Sequence, residues 1–213
     1  SPRVMAEGGC DKPHLVLASA SPRRRELLAA LGLAPAVRPV DVDESVLPGE
    51  APRDYVERLA RAKAVAAAGT VPGAVVIGAD TAVVLDGTIY GKPASSGDFR
   101  RMMGALGGRC HEVYTGVAVA RDGRAAVRTV VSRVRLRALD EGELARYWTS
   151  GEPRDKAGGY AIQGLGALFV SGIEGSYSGV VGLPLYETGE LLTAAGVDLL
   201  ALAVADAERE NDG

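Results

Sequence analysis

Apolar residues in this chain form short uninterrupted runs that alternate with stretches of helical spacing, a pattern typical of an α/β protein. The runs and the alternating segments predict strands, and the pairs Asp86-Gly87 and Asp122-Gly123 predict hairpin turns between them. The predicted strands are 14–18, 34–40, 73–78, 82–85, 88–90, about 110–120 and about 125–137.

Five segments carry apolar residues at helical spacing, and several open with a helix-start signal. Ser21 precedes Pro22, Ser95 or Ser96 stands before the third segment, and Asp140 with Glu143 matches a capping box. The predicted helices are 22–31, 52–68, about 96–106, about 141–148 and 184–195, and a polar, frayed tail is expected at 205–213.

The first strand and the first helix meet in a turn of hydroxyl and guanidinium groups, Ser19-Ala20-Ser21-Pro22-Arg23-Arg24. Arginines in the first turn oppose the helix dipole, and free backbone N–H groups, hydroxyls and guanidinium forks together suit a polyphosphate. The alternative interpretation is a solvated basic turn in which only Ser21 matters, as a helix cap. The turn alone does not decide between the two.

Asp80 stands between two strongly apolar strand segments. A carboxylate there is costly unless it is paired, binds a metal or faces a polar cleft, so we interpret Asp80 as a functional residue. Lys63 falls on the apolar face of the second helix, where it either extends past the edge of the core or meets an anion. The acidic segment 41–45, which includes Glu44, is either a solvated loop or a cation site.

Composition narrows the choice of function. The 213 residues suffice for one sizeable domain, and a formal net charge of −3 argues against a general nucleic-acid-binding protein while leaving room for a local basic pocket. Nine glycines between residues 151 and 182 either allow close approach of the backbone to a ligand or make ordinary tight turns.

The sequence contains no clear pattern for a disulfide framework, a zinc site, a membrane span or a signal peptide. Cys10 and Cys110 give no disulfide framework, which favours a reducing, cytoplasmic setting. His14, expected to flank a strand, and His111, expected on a strand surface, complete no zinc-type set with them. No apolar run approaches the roughly 18 residues that span a bilayer. Residues 1–13 lack a signal-peptide core, and we expect a disordered extension or expression remnant before a single domain at 14–204.

Eight segments, in order along about residues 15–195, form a set that is specific when taken together: Leu17–Arg24, the Glu44 segment, Leu59–Ala64, Gly78–Thr81, Gly91–Pro93, Gly151–Gly158, Ile162–Gly164 and Val181–Pro184. This ordered set resembles the Maf (septum formation) family of nucleoside triphosphate pyrophosphatases. Ala161 stands where the family pattern more often has glycine.

This resemblance implies an α/β fold with an elongated, bent mixed sheet flanked by helices and a central cleft between two lobes, similar to Maf and ITPase proteins. It also implies hydrolysis of a nucleoside triphosphate to the monophosphate and pyrophosphate with a divalent cation, Mg²⁺ or Mn²⁺, usually in a homodimer. The expected partner is therefore a small nucleotide, with no stable nucleic-acid complex and no membrane.

One branch of the family is selective for dTTP and UTP and another for 7-methyl-GTP, and this chain is similar to the first. The reaction needs water to attack the α-phosphorus, so the work is charge neutralisation, positioning and one proton removal. Asp80 is the candidate base and, with Glu44, the candidate metal ligand, although the sequence does not decide which carboxylate takes the proton. Lys63 completes the catalytic set, and the candidate substrate-binding residues are Ser19, Ser21, Arg23, Arg24, Thr81, Lys92 and Gln163.

Two alternatives remain open at this stage. The first is a pyrophosphatase for 7-methyl-GTP or deaminated purine nucleotides, which shares the reaction and differs in the base pocket. The second is a non-catalytic nucleotide- or nucleic-acid-binding regulator of septum formation, which the arginine run permits and the net negative charge opposes.

Overall fold

The computed structural model describes residues 13–211, in which seven strands form one mixed sheet. The strands are β1 (Leu15–Leu17), β2 (Ala36–Val37), β3 (Val75–Leu85), β4 (Thr88–Tyr90), β5 (Cys110–Arg121), β6 (Arg124–Leu136) and β7 (Val170–Glu174). Their order is β2-β1-β3-β5-β6-β7, with β4 added to β3. The β1 strand runs parallel to β2 and β3, and the other pairs are antiparallel.

Seven helices and three short 3₁₀ helices accompany the sheet in this part of the chain. The helices are α1 (Pro22–Ala29), α2 (Pro52–Ala68), α3 (Ser96–Leu106), α4 (Glu141–Thr149), α5 (Tyr177–Val181), α6 (Leu185–Ala194) and α7 (Leu199–Asn211). The 3₁₀ helices are Glu152–Asp155, Ala157–Gly159 and Leu165–Leu168. The predicted fold class, a mixed sheet flanked by helices, is confirmed, and the division into two lobes stays a prediction.

Three expectations about these elements need correction. The strand predicted at 34–40 is only two residues long, because Pro35 and Pro39 flank it and proline cannot donate to a strand ladder. The two runs around Asp80 are one continuous strand. Helix α7 was not predicted, and it takes in much of the segment 205–213; the last two residues of that segment, like Cys10, lie outside the described residues.

Helices cover both faces of the sheet. On one face, α2 packs small residues against the sheet. On the other face, α1 and α6 cover β3 and β5. The helices α3, α4 and α5 cover the far ends of β3, β5 and β6 on that same face. Because side chains alternate along a strand, Asp80 points to the α2 face and Thr81 to the opposite face.

One edge of β3 is interrupted, and this interruption positions the site. Along that edge β1 pairs with residues 75–77 and β4 with residues 83–85. Within the part of the chain that the structure describes, the stretch 78–82 between them pairs only with β5, on the other edge. Side chains from both faces of the sheet therefore reach the same open gap.

His111 does not lie on a strand surface as expected. It is only 2% exposed in β5, and its Nε2 lies 2.6 Å from the Tyr160 hydroxyl. Its Nδ1 has no hydrogen-bond partner among residues 13–211, and burial lowers the pKa of His111 to about 4. The side chain is a neutral member of the core at pH 7.

None of the helices within residues 13–211 combines the length and the apolar character needed to cross a membrane.

Candidate active site

The open edge of β3 borders a pocket of about 590 Å³. Its walls come from the turn after β1, the start of α1, the middle of β3, the segment after β4 and the loop that ends near Gln163. The structure brings every sequence-predicted site residue to this pocket, while their roles stay predictions. They are Ser19, Ser21, Arg23, Arg24, Glu44, Lys63, Asp80, Thr81, Lys92 and Gln163.

Lys63 lies between the two candidate catalytic carboxylates. Its Nζ donates to Asp80 Oδ1 at 2.8 Å and is 2.7 Å from Glu44 Oε1. Lys63 reaches this position because α2 lies directly on β3: a Cβ built at Gly78 would be 2.5 Å from the Ala60 carbonyl oxygen. The structure thus favours the interpretation in which Lys63 meets anions.

The two carboxylates that share Lys63 differ in acidity. Asp80 is 8% exposed, and burial raises its pKa, an effect that Lys63 and Arg24 offset only in part. Burial acts on Glu44 in the same direction, but the hydrogen bond and charge of Lys63, together with the charges of Lys92 and Arg24, outweigh it and lower the pKa of Glu44. Asp80 is therefore the stronger base, and Glu44 holds its negative charge more firmly.

Arg24 connects the turn after β1 to two other parts of the chain, β3 and the segment after α5. Ser21 caps α1 by accepting from the Arg24 backbone N–H, as predicted. The Arg24 guanidinium donates through Nε to the Gly182 carbonyl oxygen at 2.7 Å. Its terminal nitrogens donate to Ser19 Oγ at 3.3 Å and to Thr81 Oγ1 at 3.2 Å. A guanidinium has five N–H groups, so two remain for a ligand in the pocket.

A second threonine supports Thr81 from the neighbouring strand. Thr115 on β5 faces Thr81 in the strand register, and their hydroxyl oxygens are 3.0 Å apart. Thr115 has no exposed surface and donates to the Gly179 carbonyl oxygen of α5 at 2.7 Å. The sheet is thereby connected to α5 through a line of hydrogen bonds that begins at Arg24.

The pocket is basic although the chain is acidic overall. Asp155 is held by Lys156 Nζ at 2.6 Å and lies 3.9 Å from Arg23. Five basic and three acidic side chains line the pocket, which gives it a positive balance in a protein of net charge −3: Arg23, Arg24, Lys63, Lys92 and Lys156 against Glu44, Asp80 and Asp155. Such a balance favours an anionic ligand.

The loop that carries Gln163 (residues 156–169, between the 3₁₀ helix Glu152–Asp155 and β7) is held by the partly buried carboxylate of Glu152. Glu152 accepts from the backbone N–H groups of Leu165 at 2.8 Å and Gly166 at 3.0 Å, and also from the Tyr147 hydroxyl. Tyr147 in turn accepts from the Ala161 backbone N–H at 3.1 Å. These bonds fix the loop on both sides of Gln163, whose own side chain is exposed towards the pocket.

Sequence reasoning missed four residues that build the site: Thr115, Glu152, Lys156 and Tyr160. Glu152 and Lys156 belong to the glycine-rich segment that carried part of the family resemblance, which could have drawn attention to them. The sequence around Thr115 does not mark it as a site residue, because its contact with the site is made through Thr81, 34 residues away on the neighbouring strand.

Two carboxylates could contribute to a metal site. Within residues 13–211 no group of three or more His, Cys, Asp or Glu side chains is arranged to hold a metal ion. Glu44 and Asp80 converge on Lys63 in the pocket, and their oxygens are hard ligands of the kind that Mg²⁺ and Mn²⁺ prefer. A cation held here would need further oxygen ligands from outside the protein.

Comparison with known proteins gives consistent matches. A family model described as Maf-like protein matches residues 14–195. A protein of Anaeromyxobacter dehalogenans (strain 2CP-C) named dTTP/UTP pyrophosphatase is 56% identical over 191 residues, which cover 88% of this chain and 96% of that protein. A protein of the same name from Hahella chejuensis is 52% identical over 198 residues, which cover 92% of this chain and 98% of that protein.

A third relative, from Bordetella bronchiseptica, carries the same name and is 52% identical over 196 residues, which cover 88% of this chain and 95% of that protein. The family match spans the turn after β1, Asp80, Lys63 and the Gln163 loop, so it includes every candidate site residue. This chain belongs to the Maf family.

Proposed function

We propose that this protein is a nucleoside triphosphate pyrophosphatase that hydrolyses dTTP and UTP to the monophosphate and pyrophosphate. Three relatives more than 50% identical over nearly their whole length carry the name dTTP/UTP pyrophosphatase. The observation that carries the proposal is the Asp80–Lys63–Glu44 cluster at the edge of a pocket whose other side chains are mainly basic.

The pocket matches the chemistry of a triphosphate. Phosphate oxygens are acceptors, and the basic side chains that line the pocket, together with the two remaining Arg24 N–H groups, are donors. A volume of about 590 Å³ falls within the usual range of small-molecule sites. Apolar residues complete one side of the pocket, where a base could lie: Val83, Ile162, Val180 and Val181.

Asp80 is the proposed general base. Its Oδ1 is held by Lys63, and its Oδ2 has no hydrogen-bond donor among the described residues, so Oδ2 can take a proton from water. The raised pKa of Asp80 strengthens it as a base relative to Glu44. Water that loses this proton attacks the α-phosphorus, and pyrophosphate leaves. Lys63 keeps the carboxylate oriented and stabilises negative charge nearby.

A divalent cation fits this site as a cofactor, and Glu44 and Asp80 are the residues that would hold it. The fit rests on two converging carboxylates that Lys63 neutralises only in part. When bound, Mg²⁺ or Mn²⁺ neutralises charge on the phosphate oxygens, and the triphosphate itself supplies oxygen ligands, as is common for Mg²⁺ sites.

The proposal extends to the setting of the enzyme. We place it in the cytoplasm, where nucleoside triphosphates are available, and propose that it acts as a homodimer without stable nucleic-acid partners. The dimer is carried by the family resemblance, and sedimentation of the purified protein at micromolar concentration tests it, with a dimer mass expected.

A nucleotide panel tests the activity. Pyrophosphate release is measured for dTTP, UTP, CTP, GTP, ITP and 7-methyl-GTP, with Mg²⁺, with Mn²⁺ and with a chelator. We expect dTTP and UTP to be the best substrates and chelation to stop turnover. Hydrolysis in ¹⁸O-labelled water should place the label in the monophosphate, because the attack is on the α-phosphorus.

The same panel separates the alternatives. A strong preference for 7-methyl-GTP or ITP would replace the pyrimidine assignment with the purine one. Absence of turnover on every nucleotide, combined with salt-dependent DNA binding, would favour the non-catalytic regulator.

A further inference from the structure

The line of hydrogen bonds from Arg24 to Gly179 has a fixed direction. A carbonyl oxygen only accepts, so the Thr115 hydroxyl must donate its single proton to Gly179 O at 2.7 Å. The 3.0 Å contact between the two threonine hydroxyls then requires the proton of Thr81. Thr81 in turn accepts from Arg24, whose guanidinium only donates.

Thr81 therefore has no proton left for a ligand. One of its oxygen lone pairs is taken by Arg24, and the other remains available at the partly exposed side chain in the pocket. Phosphate oxygens are acceptors, so this hydroxyl cannot bind them. It can bind only a ligand group that donates.

The position of Thr81 indicates which ligand group that is. Asp80 and Lys63 lie on the α2 face of the sheet, whereas Thr81 lies on the face that α5 and the Gln163 loop cover. This loop packs on the same strand face two residues further on, since a Cβ at Gly158 would be 3.0 Å from Val83 side-chain atoms. Thr81 is thus on the side of the pocket that Val83, Val180 and Val181 line.

We propose that Thr115 is a positioning residue for base selection: by taking the proton of Thr81, it keeps Thr81 an acceptor for the N3–H of uracil and thymine. Cytosine has a lone pair at N3, which such an acceptor repels. The inference rests on the proposed function, because it assigns the base of the proposed substrates to this face. Thr115 touches no ligand and acts only through Thr81.

Thr115→Val and Thr115→Ser test the proposal together. Valine has nearly the same shape and cannot accept the Thr81 proton, whereas serine keeps the hydroxyl. The binding constants of UMP and CMP are measured by calorimetry, and kcat and KM are measured for UTP and CTP. In wild type we expect UMP and UTP to be preferred. In Thr115→Val the preference for UMP over CMP, and for UTP over CTP, should fall about tenfold or more, because the Thr81 hydroxyl is then free to donate to cytosine N3. For the triphosphates we expect the change mainly in KM.

Two controls separate positioning from a structural role. Thr115→Ser should keep the wild-type preference, and Thr115→Val added to Thr81→Val should change the preference no further than Thr81→Val does. Should the valine protein lack a cooperative thermal transition, Thr115→Cys replaces it, with the same expected fall, because a thiol is a weak hydrogen-bonding group.

Several results would overturn the proposal: a wild-type protein that does not distinguish UMP from CMP, an unchanged preference in Thr115→Val, or an equal loss on both nucleotides. The binding measurement does not depend on turnover. A protein that hydrolyses neither triphosphate but shows the predicted UMP preference would refute the proposed activity and leave the role of Thr115 supported.

Discussion

The role proposed for Asp80 in activity comes with a cost in stability. Burial raises its pKa, so the ionised form is less favourable in the folded protein than in the unfolded chain. The protonated form stabilises the fold at low pH, and this contribution is lost as the pH rises from the ordinary value of 3.8 through the raised pKa of the folded state. The ionised carboxylate that the proposed mechanism needs at neutral pH therefore destabilises the fold.

Asp80→Asn should therefore leave the folded protein at least as stable as wild type at pH 7. Asparagine resembles the protonated acid, and Lys63 keeps Glu44 as a partner at 2.7 Å. Chemical denaturation of both proteins from pH 3.5 to pH 8 measures the difference in unfolding free energy. We expect it to shift in favour of the variant as pH rises. A variant clearly less stable at pH 7 would show that the Asp80–Lys63 pair stabilises the fold.

Residues were predictable where the local sequence made them conspicuous. Asp80 stands out because both of its flanks are apolar, and Lys63 because it interrupts an apolar helix face. Thr115 and His111 do not differ from their neighbours in this way. The first half of β5 mixes polar and apolar side chains, so the alternation along the strand does not show which face is buried. Only the partners Thr81 and Tyr160, distant in sequence, reveal their surroundings.

At the scale of elements, the close approach of α2 to β3 places Lys63 beside Asp80. Gly78 makes this approach possible, since a Cβ there would lie 2.5 Å from Ala60 O and 2.7 Å from Ala64 N. Both contacts are backbone atoms of α2, which cannot move aside as a flexible side chain could. A larger residue must push the helix away from the strand.

Gly78→Ala should cost about 2 kcal/mol of unfolding free energy, in the range of overpacked cores, and should lower kcat/KM for UTP about tenfold or more through displacement of Lys63. Gly104→Ala is the matched control: Gly104 is an exposed position within α3 with open space around it, and alanine there should stabilise the protein by about 0.5–1 kcal/mol. Equal effects of the two changes on kcat/KM would contradict the assigned role of this contact.

Glu152→Gln tests how the Gln163 loop is held. Glutamine replaces one acceptor oxygen with an NH₂ group, which must face either the Leu165 N–H or the Gly166 N–H, so about 2 kcal/mol of stability should be lost. With the loop loosened, KM for UTP should rise more than kcat falls. Steady-state kinetics and thermal unfolding measure both effects. Glu174→Gln, a change at an 80% exposed carboxylate, should alter neither.

Element boundaries followed from sequence where capping and turn chemistry was explicit. The bounds of α2 are those predicted, the Asp140–Glu143 capping box is present at α4, and Asp86-Gly87 and Asp122-Gly123 form the turns. Helix α7 was not predicted because its first half is mainly apolar and its second half is polar, so its apolar residues do not recur at helical spacing along its length. The interruption along β3 was also unpredictable, since it depends on where β1 and β4 pair.

At the scale of the whole molecule, the pocket is a product of long-range assembly. Its lining runs from Ala18 to Val181, and it forms only when β1, β3 and the Gln163 loop are in place. Sequence reasoning could nominate the residues individually and the family resemblance could group them, but the geometry comes from the sheet order. A change that disrupts the packing of the sheet should therefore also disrupt the pocket.

Acid should weaken this core through His111. Its pKa is about 4 in the fold, so the unfolded chain takes up a proton at higher pH than the folded protein does. The stabilisation is fully present above the ordinary value of 6.5 and is lost as the pH falls from there towards 4. His111→Gln, which cannot titrate, should show a flatter fall in unfolding free energy across this window. Parallel curves for the two proteins would contradict the buried neutral state.

The most direct test of the central claim is the rate of pyrophosphate release from UTP by Asp80→Asn with Mg²⁺ present. If Asp80 is the base, the variant should bind the nucleotide and lose at least about a hundredfold in kcat, the lower end of what a general base contributes. A folded Asp80→Asn protein that turns over UTP at the wild-type rate would contradict the account.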